Sequence, residues 1–510
     1  MGTMMEHGKK CLTLVGTASI QDYLFRSNRL KENVGASYLV ANVAQQFTGS
    51  SGDRKTIFQG GGNAAVIFES REKAIQAVFE WSKQLLEKCP GLRVTAAHEE
   101  YETNGLKAAY ERAQQQLFFN EQAPPFGSQL GALPVARTCP ETGLAADSVD
   151  RLGNWLSGEA LAKQNAAINA NIDLKARYQV KGEFPLEFDN LGQVAGEAQI
   201  AVVHIDGNAI GELFAEIEGD SDELFIEKVR GLSDQIKELA TSTFRQTLAE
   251  LSGIISTSTE SLSEIRIFKK ADYFPVRPIV DGGDDLTFVC QGRLGIPLAI
   301  RYLELFEQKS MSILKTKLTA CAGVVIVHQA FPFSQAYQLA EALTDSAKRR
   351  RKSKGGNGSW IDFELVKEGS MGSLSNLREG LRGMHALSNV TSQFELLCRP
   401  YQLAPKGLDS FHSLMKHWRV MHNGWPRSLA KNCLEKLVDA PNEVQGVFSA
   451  AATRGHTIPQ DCCIRFEDAS SNPSIWRYPF YDALDLIDVL LELNWPTQEG
   501  KDYAHFATGD

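Results

Sequence analysis

The sequence predicts an α+β protein: two ferredoxin-like βαββαβ units, a partly helical insertion between them and a helical C-terminal domain. Three observations carry this. The order strand, helix, glycine hairpin, helix, strand occurs twice along the chain. The two hairpin turns correspond, GGGN at Gly60–Asn63 and GGDD at Gly282–Asp285. After about residue 372 the apolar residues fall at helical spacing, with few strand signals.

The first unit is expected over residues 1–104. Cys11–Thr17, CLTLVGT, is a short apolar run and reads as a buried strand. A long helical segment runs from Ile20 to Phe47. KTIFQGGGNAAVIFES, Lys55–Ser70, reads as strand, glycine turn, strand. In REKAIQAVFEWSKQLLEKC the residues Ala74, Ala77, Val78, Trp81, Leu85 and Leu86 recur at the spacing of an amphipathic helix. LRVTAAHEEY, from Leu92, is the last strand. Residues 105–195, with Pro124, Pro125, Pro134 and TCPETGLAA, read as a connector with some helix.

The second unit is expected over residues 196–365. AQIAVVHID, Ala198–Asp206, is a strand, and a helical stretch from Ala209 to Leu251 is broken by acidic residues at Gly219–Glu223. RPIVDGGDDLTFVC, Arg277–Cys290, is the second hairpin. LGIPLAIRYLELFEQKS is a helix, LTACAGVVIVH, Leu318–His328, a strand, and PFSQAYQLAEALTDSAKRRRK a further amphipathic helix. SKGGNGSW, from Ser353, is a glycine- and serine-rich loop. Within residues 366–510, SNLREGLRGMHALSNVTSQFELLC and YDALDLIDVLLELNW read as helical.

At about 100–200 residues per domain, 510 residues suggest three or four domains. A net charge of -9 argues against a surface given over wholly to nucleic acid. It leaves room for a local basic groove, for which Lys348, Arg349, Arg350, Arg351, Lys352 and Lys354 are the clearest run. The nine cysteines include no CxxC pair and only Cys462 and Cys463 as neighbours, which fits reduced thiols rather than zinc. The N-terminus lacks the apolar core of a signal peptide, and no stretch reaches the roughly 20 apolar residues of a membrane span. The expected location is the cytoplasm, with no membrane partner.

The chemistry gathers in the second unit. Asp206 ends an apolar strand, and Asp284 and Asp285 lie in the turn of the following hairpin. In a βαββαβ sheet the first strand lies beside that hairpin at the centre, so the three carboxylates converge. Hard divalent cations seek such an oxygen cluster and keep positions open for water and phosphate. Two such ions about 4 Å apart activate an attacking hydroxyl and stabilise leaving pyrophosphate. Gly282 and Gly283 allow positive φ and a close approach of backbone to a triphosphate, and Lys348 is the cation for its tail. A D-G-G-D-D stretch alone is an ordinary turn. Here apolar strands flank it tightly, and three acids at one sheet edge would repel each other without metal. His204 shares the face of Asp206, with core, supporting and catalytic roles all open. His328 reads as structural. The GGGN turn could hold a nucleotide but has no carboxylate for a catalytic metal.

At these residues the chain resembles the large palm-domain subunit of type III CRISPR effector complexes. Asp206-Gly-Asn-Ala-Ile-Gly211 is similar to that family's D-x-D-N-x-G strand end, Gly282–Asp285 to its GGDD turn, Ala347-Lys348 to its Ala-Lys pair, and Ile20–Val40 to the entry of its first palm. The resemblance implies two palm domains, Mg²⁺ or Mn²⁺ as a pair of ions, ATP as substrate and cyclic oligoadenylate as product. It also implies Asp206, Asp284 and Asp285 as catalytic and metal-binding residues, with Gly207, Asn208, Gly211, Gly282, Gly283 and Lys348 as nucleotide contacts. Guide or target RNA and other effector subunits are the partners it implies. The departures are three. No His-Asp dipeptide of the family's nuclease domain occurs, which suits a stand-alone relative; the cysteine-rich zinc element is reduced to Cys139; and Asn208 stands at the second Asp of the strand-end motif. Two other functions fit the same fold: an idle palm-fold scaffold of a guide-RNA ribonucleoprotein, and a sensor that binds ATP without turnover.

Overall fold

A computed structural model describes residues 9–48, 54–123, 135–192, 198–219, 221–257, 273–367, 369, 372–387, 390–404, 407, 409–440, 443–459, 464–466 and 475–496. Pro124, Pro125, Pro134, Cys462 and Cys463 lie outside these residues. The seven described cysteines are buried thiols outside any disulfide among the described residues. No described helix is long and apolar enough to cross a membrane.

The first unit comprises β1 (Lys10–Ala18), α1 (Ile20–Phe25), α2 (Leu30–Thr48), β2 (Arg54–Gly60), β3 (Asn63–Phe68), α3 (Arg71–Lys88) and β4 (Arg93–Tyr101). Its sheet has the order β2-β3-β1-β4, with β1 antiparallel to both neighbours. The segment expected as one helix from Ile20 to Phe47 is two, α1 and α2. Strand alternation sends Cys11 and Val15 to one face, against Phe47, Trp81 and Leu85. Leu12 and Leu14 go to the other, against α4 (Leu106–Gln122).

Between the units stand a small hairpin, β5 (Ser148–Val149) and β6 (Trp155–Leu156), and α5 (Gly158–Tyr178), whose N-cap Ser157 accepts from the Ala160 amide. Helix α5 crosses α2 at Gly35, where a Cβ would lie 1.7 Å from the Lys163 carbonyl oxygen. Lys163 is fully buried, 4.0 Å above the Tyr23 ring, and pairs with Glu159 at 2.6 Å.

The second unit comprises β7 (Gln199–Gly207), α6 (Ile210–Ala215), α7 (Asp222–Thr257), β8 (Val276–Gly282), β9 (Asp285–Gln291), α8 (Gly295–Ile313), β10 (Ala320–His328), α9 (Phe333–Ser353) and β11 (Trp360–Leu365). The C-terminal region carries α10 (Leu374–Leu377), β12 (Arg382–Leu387), β13 (Val390–Glu395), β14 (Tyr401–Gln402), α11 (Phe411–Gly424), α12 (Arg427–Asp439), α13 (Val444–Thr453), β15 (Ile464–Phe466), β16 (Ile475–Arg477) and α14 (Phe480–Asp485). The second sheet runs β14-β11-β10-β7-β9-β8, so β8-β9-β7-β10 repeats the strand order of the first unit. Helix α9 makes the crossover to β11, which pairs parallel with β10.

Ala201, Val203 and Ile205 enter the core under α7 and α8. Ile200 and Val202 face the opposite way, into a core shared by Tyr337 of α9 with Tyr23, Phe25 and Val34 of the first unit. The two units are therefore fused through one apolar layer.

The C-terminal region departs from the expected helices in two places. SNLREGLRGMHALSNVTSQFELLC holds only the short α10 and then the pair β12–β13, which joins the sheet β12-β13-β16-β15. Its apolar spacing mimics a helix, but Gly383, Val390 and Thr391 disfavour one and suit a paired strand. YDALDLIDVLLELNW is helical only in α14, and Leu486, Ile487 and Val489 are buried as turns. A buried ion cluster ties this region to β11. Arg399 meets Glu364 and Asp485 at 3.1 Å, and Arg378 meets Asp362 at 2.8 Å and Glu364 at 2.7 Å. Asp482 accepts from the Cys398 and Arg399 amides and the Tyr401 hydroxyl.

Candidate active site

The site lies where β7 runs out of the core. Along one face of that strand, under α9, the residues are Ile200, Val202, His204 and Asp206, apolar in the core and polar toward the strand end. The register places Asp206 opposite Asp285 and His204 opposite Thr287 on β9, with Cys321 beside Asp206 on β10. Ligand atoms of His204, Asp206 and Asp285 all lie within 4.8 Å of one another. Among the described residues this is the group with metal-ligating geometry, and it includes His204 where the sequence pointed to Asp284.

Asp284 stands next door, in the turn. A Cβ at Gly207 would lie 3.3 Å from that of Asp284 and 2.9 Å from Ile210, so only glycine lets the turn close over the strand end. Gly283 takes a φ of 86°, the left-handed region that favours glycine. Desolvation, then the charge of Asp206, raise the Asp284 carboxyl above the usual carboxylate range. Asp285 is pushed up to about 7 by desolvation and by Asp206 and Asp284. Its own surface is exposed, so the crowding comes from the acids around it.

Helix α9 supplies the other wall. Gly323 on β10 allows the helix to sit directly on the sheet: a Cβ there would lie 2.1 Å from the Ala340 carbonyl oxygen. The Lys348 ammonium is ion-paired with Asp206 Oδ2. Thr344 donates its hydroxyl to the His204 carbonyl at 3.0 Å, and Glu341 and Asp345 add negative charge that acts on Asp285 and His204 respectively. Glu341, Thr344, Asp345 and Lys348 recur every three or four residues, a face that reads in sequence like any solvated helix side. From the first unit, Gln21 donates to Glu341 at 2.6 Å, and Phe25 stacks on Tyr337 with centroids 3.9 Å apart.

Two further residues expected as nucleotide contacts follow Asp206 and Gly207 along the chain. Asn208 is buried, its amide donating to the Thr319 hydroxyl at 3.0 Å and accepting from the Cys321 thiol at 3.4 Å. That side chain pins β7 to β10. Gly211 begins α6 with open space around it. The basic run after Lys348 is partly committed: Arg350 holds Asp409 with two bonds at 3.0 Å, and Lys354 meets it at 3.2 Å. Before the GGDD turn, Asp281 accepts from Arg177 and Tyr178. His328 accepts from the Ala330 amide at 3.2 Å.

The turns of the two units touch. A Cβ at Gly282 would lie 3.9 Å from the Gly61 Cα. Extending the β1–β3 register by one residue past Val15–Ala64 sets Gly16 opposite Asn63. Gly16, Gly62 and Asn63 thus occupy the places of Asp206, Asp284 and Asp285.

The repeated βαββαβ sheets and the acid-lined strand edge define a palm-domain protein. Residues 199–355 match the family of Cas10/Cmr2 second palm domains. No curated protein matches the sequence. Among solved structures it is similar to a Csm1-Csm4 cassette in complex with cA4, with 13% identity and a TM-score of 0.51 over 96% of this chain and 70% of that one. It is also similar to the cassette with cA3, at 14% identity and a TM-score of 0.50, over 96% and 71%. A third, with AMPPNP, is matched over 68% of this chain and 54% of its own length, at 16% identity and a TM-score of 0.42. At these identities the likeness concerns the fold.

Proposed function

We propose that this protein is a nucleotidyl cyclase that joins nucleoside triphosphates, ATP first among them, into cyclic oligonucleotides for CRISPR-type antiviral signalling. One observation carries the reading: Asp206 and Asp285 meet Lys348 at the open edge of a Cas10/Cmr2-type palm, with Asp284 in the adjoining turn, against the turn of a first unit without acids. The complexes of its structural neighbours with cA3 and cA4 favour adenine as the base.

The donor set fits divalent metal. Asp206, Asp284 and Asp285 bring three negative charges, the last two with raised pKa, against the single ammonium of Lys348. Two ions, Mg²⁺ or Mn²⁺, held by these carboxylates would neutralise phosphate charge and activate the attacking hydroxyl. The protein's own groups do the rest. Lys348, one side-chain swing from Asp206, takes up the triphosphate tail. Gly282 and Gly283 let the turn backbone approach the phosphates. The first unit presents the acceptor nucleotide across the Gly61–Gly282 contact. The 3′-hydroxyl loses its proton, its oxygen bonds the α-phosphorus, and pyrophosphate leaves. Guide or target RNA and effector subunits are the expected partners in switching this site on.

The deciding experiment incubates the purified chain with Mg²⁺ or Mn²⁺ and each labelled triphosphate, with and without RNA, beside Asp284→Ala/Asp285→Ala. A cyclic product from the wild type and none from the variant is expected. No product under any combination overturns the reading and leaves a scaffold or sensor.

A further inference from the structure

We infer that His204 is itself a metal ligand, so that the ion nearest β7 sits in a mixed nitrogen-oxygen set of His204, Asp206 and Asp285 that takes Mn²⁺ or a similar borderline ion in preference to Mg²⁺. The inference rests on the cyclase reading for what the ion does, and not for whether it binds.

Four observations converge. The first is reach. Two donors on one such ion stand at most about 4.2 Å apart, twice a bond of about 2.1 Å. The three ligand atoms already lie within 4.8 Å of one another, so small side-chain rotations bring them onto one ion. The second is orientation. His204 Nδ1 lies 3.0 Å from the Thr287 hydroxyl, which leaves Nε2 as the donor. A hydroxyl on the far nitrogen is the kind of partner that fixes the tautomer and ring angle of a metal-bound histidine.

The third is support. The residue is 7% exposed, its carbonyl accepts from Thr344 at 3.0 Å, and its ring meets Tyr337 edge-on with centroids 5.7 Å apart. The imidazole is held by backbone and side chain alike. The fourth is the disposition of the neighbours among the described residues: Asn208 is engaged with Thr319 and Cys321, and Asp284 lies outside this group of three, beside it in the turn.

The donor chemistry then sets the preference. Mg²⁺ seeks hard oxygens in near-ideal octahedral geometry, whereas imidazole suits transition metals.

The test uses the full chain without nucleotide, with Mn²⁺ alone as the probe, read by pulsed electron paramagnetic resonance. Bound Mn²⁺ should show the hyperfine coupling of a directly ligated imidazole nitrogen. His204→Gln, checked for folding by circular dichroism and melting, should lose the coupling and about tenfold or more in Mn²⁺ affinity, with Mg²⁺ affinity changing less. Thr287→Val should keep the coupling and bind more weakly. Bound Mn²⁺ without nitrogen coupling in the wild type, or coupling that persists in His204→Gln, overturns the assignment. Cyclic product without nitrogen coupling sinks this inference and spares the cyclase; coupling without product does the reverse.

Discussion

Lys348 and Asp285 show how single residues set the electrostatics of the cleft. The lysine ammonium pairs with Asp206 and offsets the acids around it. Asp285, held at about 7 instead of 3.8, gives the metal-free protein a pH dependence of defined sign. Between those values the folded chain keeps a proton that the unfolded chain has lost, so the group's contribution to stability is whole below 3.8, falls as pH rises across that window and is lost above about 7. Asp285→Asn should therefore raise the melting temperature of the metal-free protein at pH 8. The gain should fade toward pH 5, and the residue's exposure keeps it to a few degrees at most, about 1 kcal/mol or less. Scanning calorimetry across that range, in chelator, checks it; an equal gain at both pH values would contradict it. Asp206 and Asp285 were legible in the sequence because one stands near the end of an apolar strand and the other opens one out of a glycine turn. Glu341 and Asp345 were not, because the acidic side of an amphipathic helix looks the same whether it faces water or a cleft.

At the scale of elements, the seating of α9 on β10 decides where Lys348 ends up. Gly323 lies beneath the Ala340 carbonyl and the Thr344 amide, with room for no side chain. Gly323→Ala must lift the helix off the strand and is expected to cost about 1–3 kcal/mol. Because that helix carries Thr344 and Lys348, turnover measured well below the melting temperature should fall as well. Unchanged turnover in a destabilised variant would show that the helix position does not matter to the chemistry. Both glycine hairpins could be read from sequence, since turn residues between apolar runs are a local signal. The β12–β13 pair could not. Its apolar residues recur at three and four positions, and only its partner strand β16, some 80 residues away, resolves the ambiguity.

Across the whole molecule, the second palm is joined to the C-terminal region through a buried knot of two arginines and four carboxylates: Arg378 and Arg399 with Asp362, Glu364, Asp482 and Asp485. Burial raises Asp482 above the usual carboxylate range even beside Arg399. Arg399→Met would leave Asp482 and Asp485 in the interior without their cation, with Glu364 held by Arg378 alone, and is expected to remove about 3–5 kcal/mol of stability. The loss should be smaller at pH 5 than at pH 8, since protonation neutralises the stranded acids. Denaturant unfolding at the two pH values measures both, and a loss independent of pH would assign the effect to packing. The repeat of the two units was visible in the sequence. Their fusion through one apolar layer was not, since Tyr23, Phe25 and Tyr337 look like ordinary core residues of separate domains until the fold brings them together.

The contact between Gly61 and Gly282 gives the molecule a direction. Had both turns kept their acids, six carboxylates would face each other across a gap of a few ångströms, where each like-charged pair opposes the fold by several kcal/mol at about 4 Å. Glycine and asparagine at Gly16, Gly62 and Asn63 remove that repulsion. The seam is left with one charged lip and one built of glycine and asparagine. Whatever lies across it has a head and a tail, as a growing nucleotide chain does.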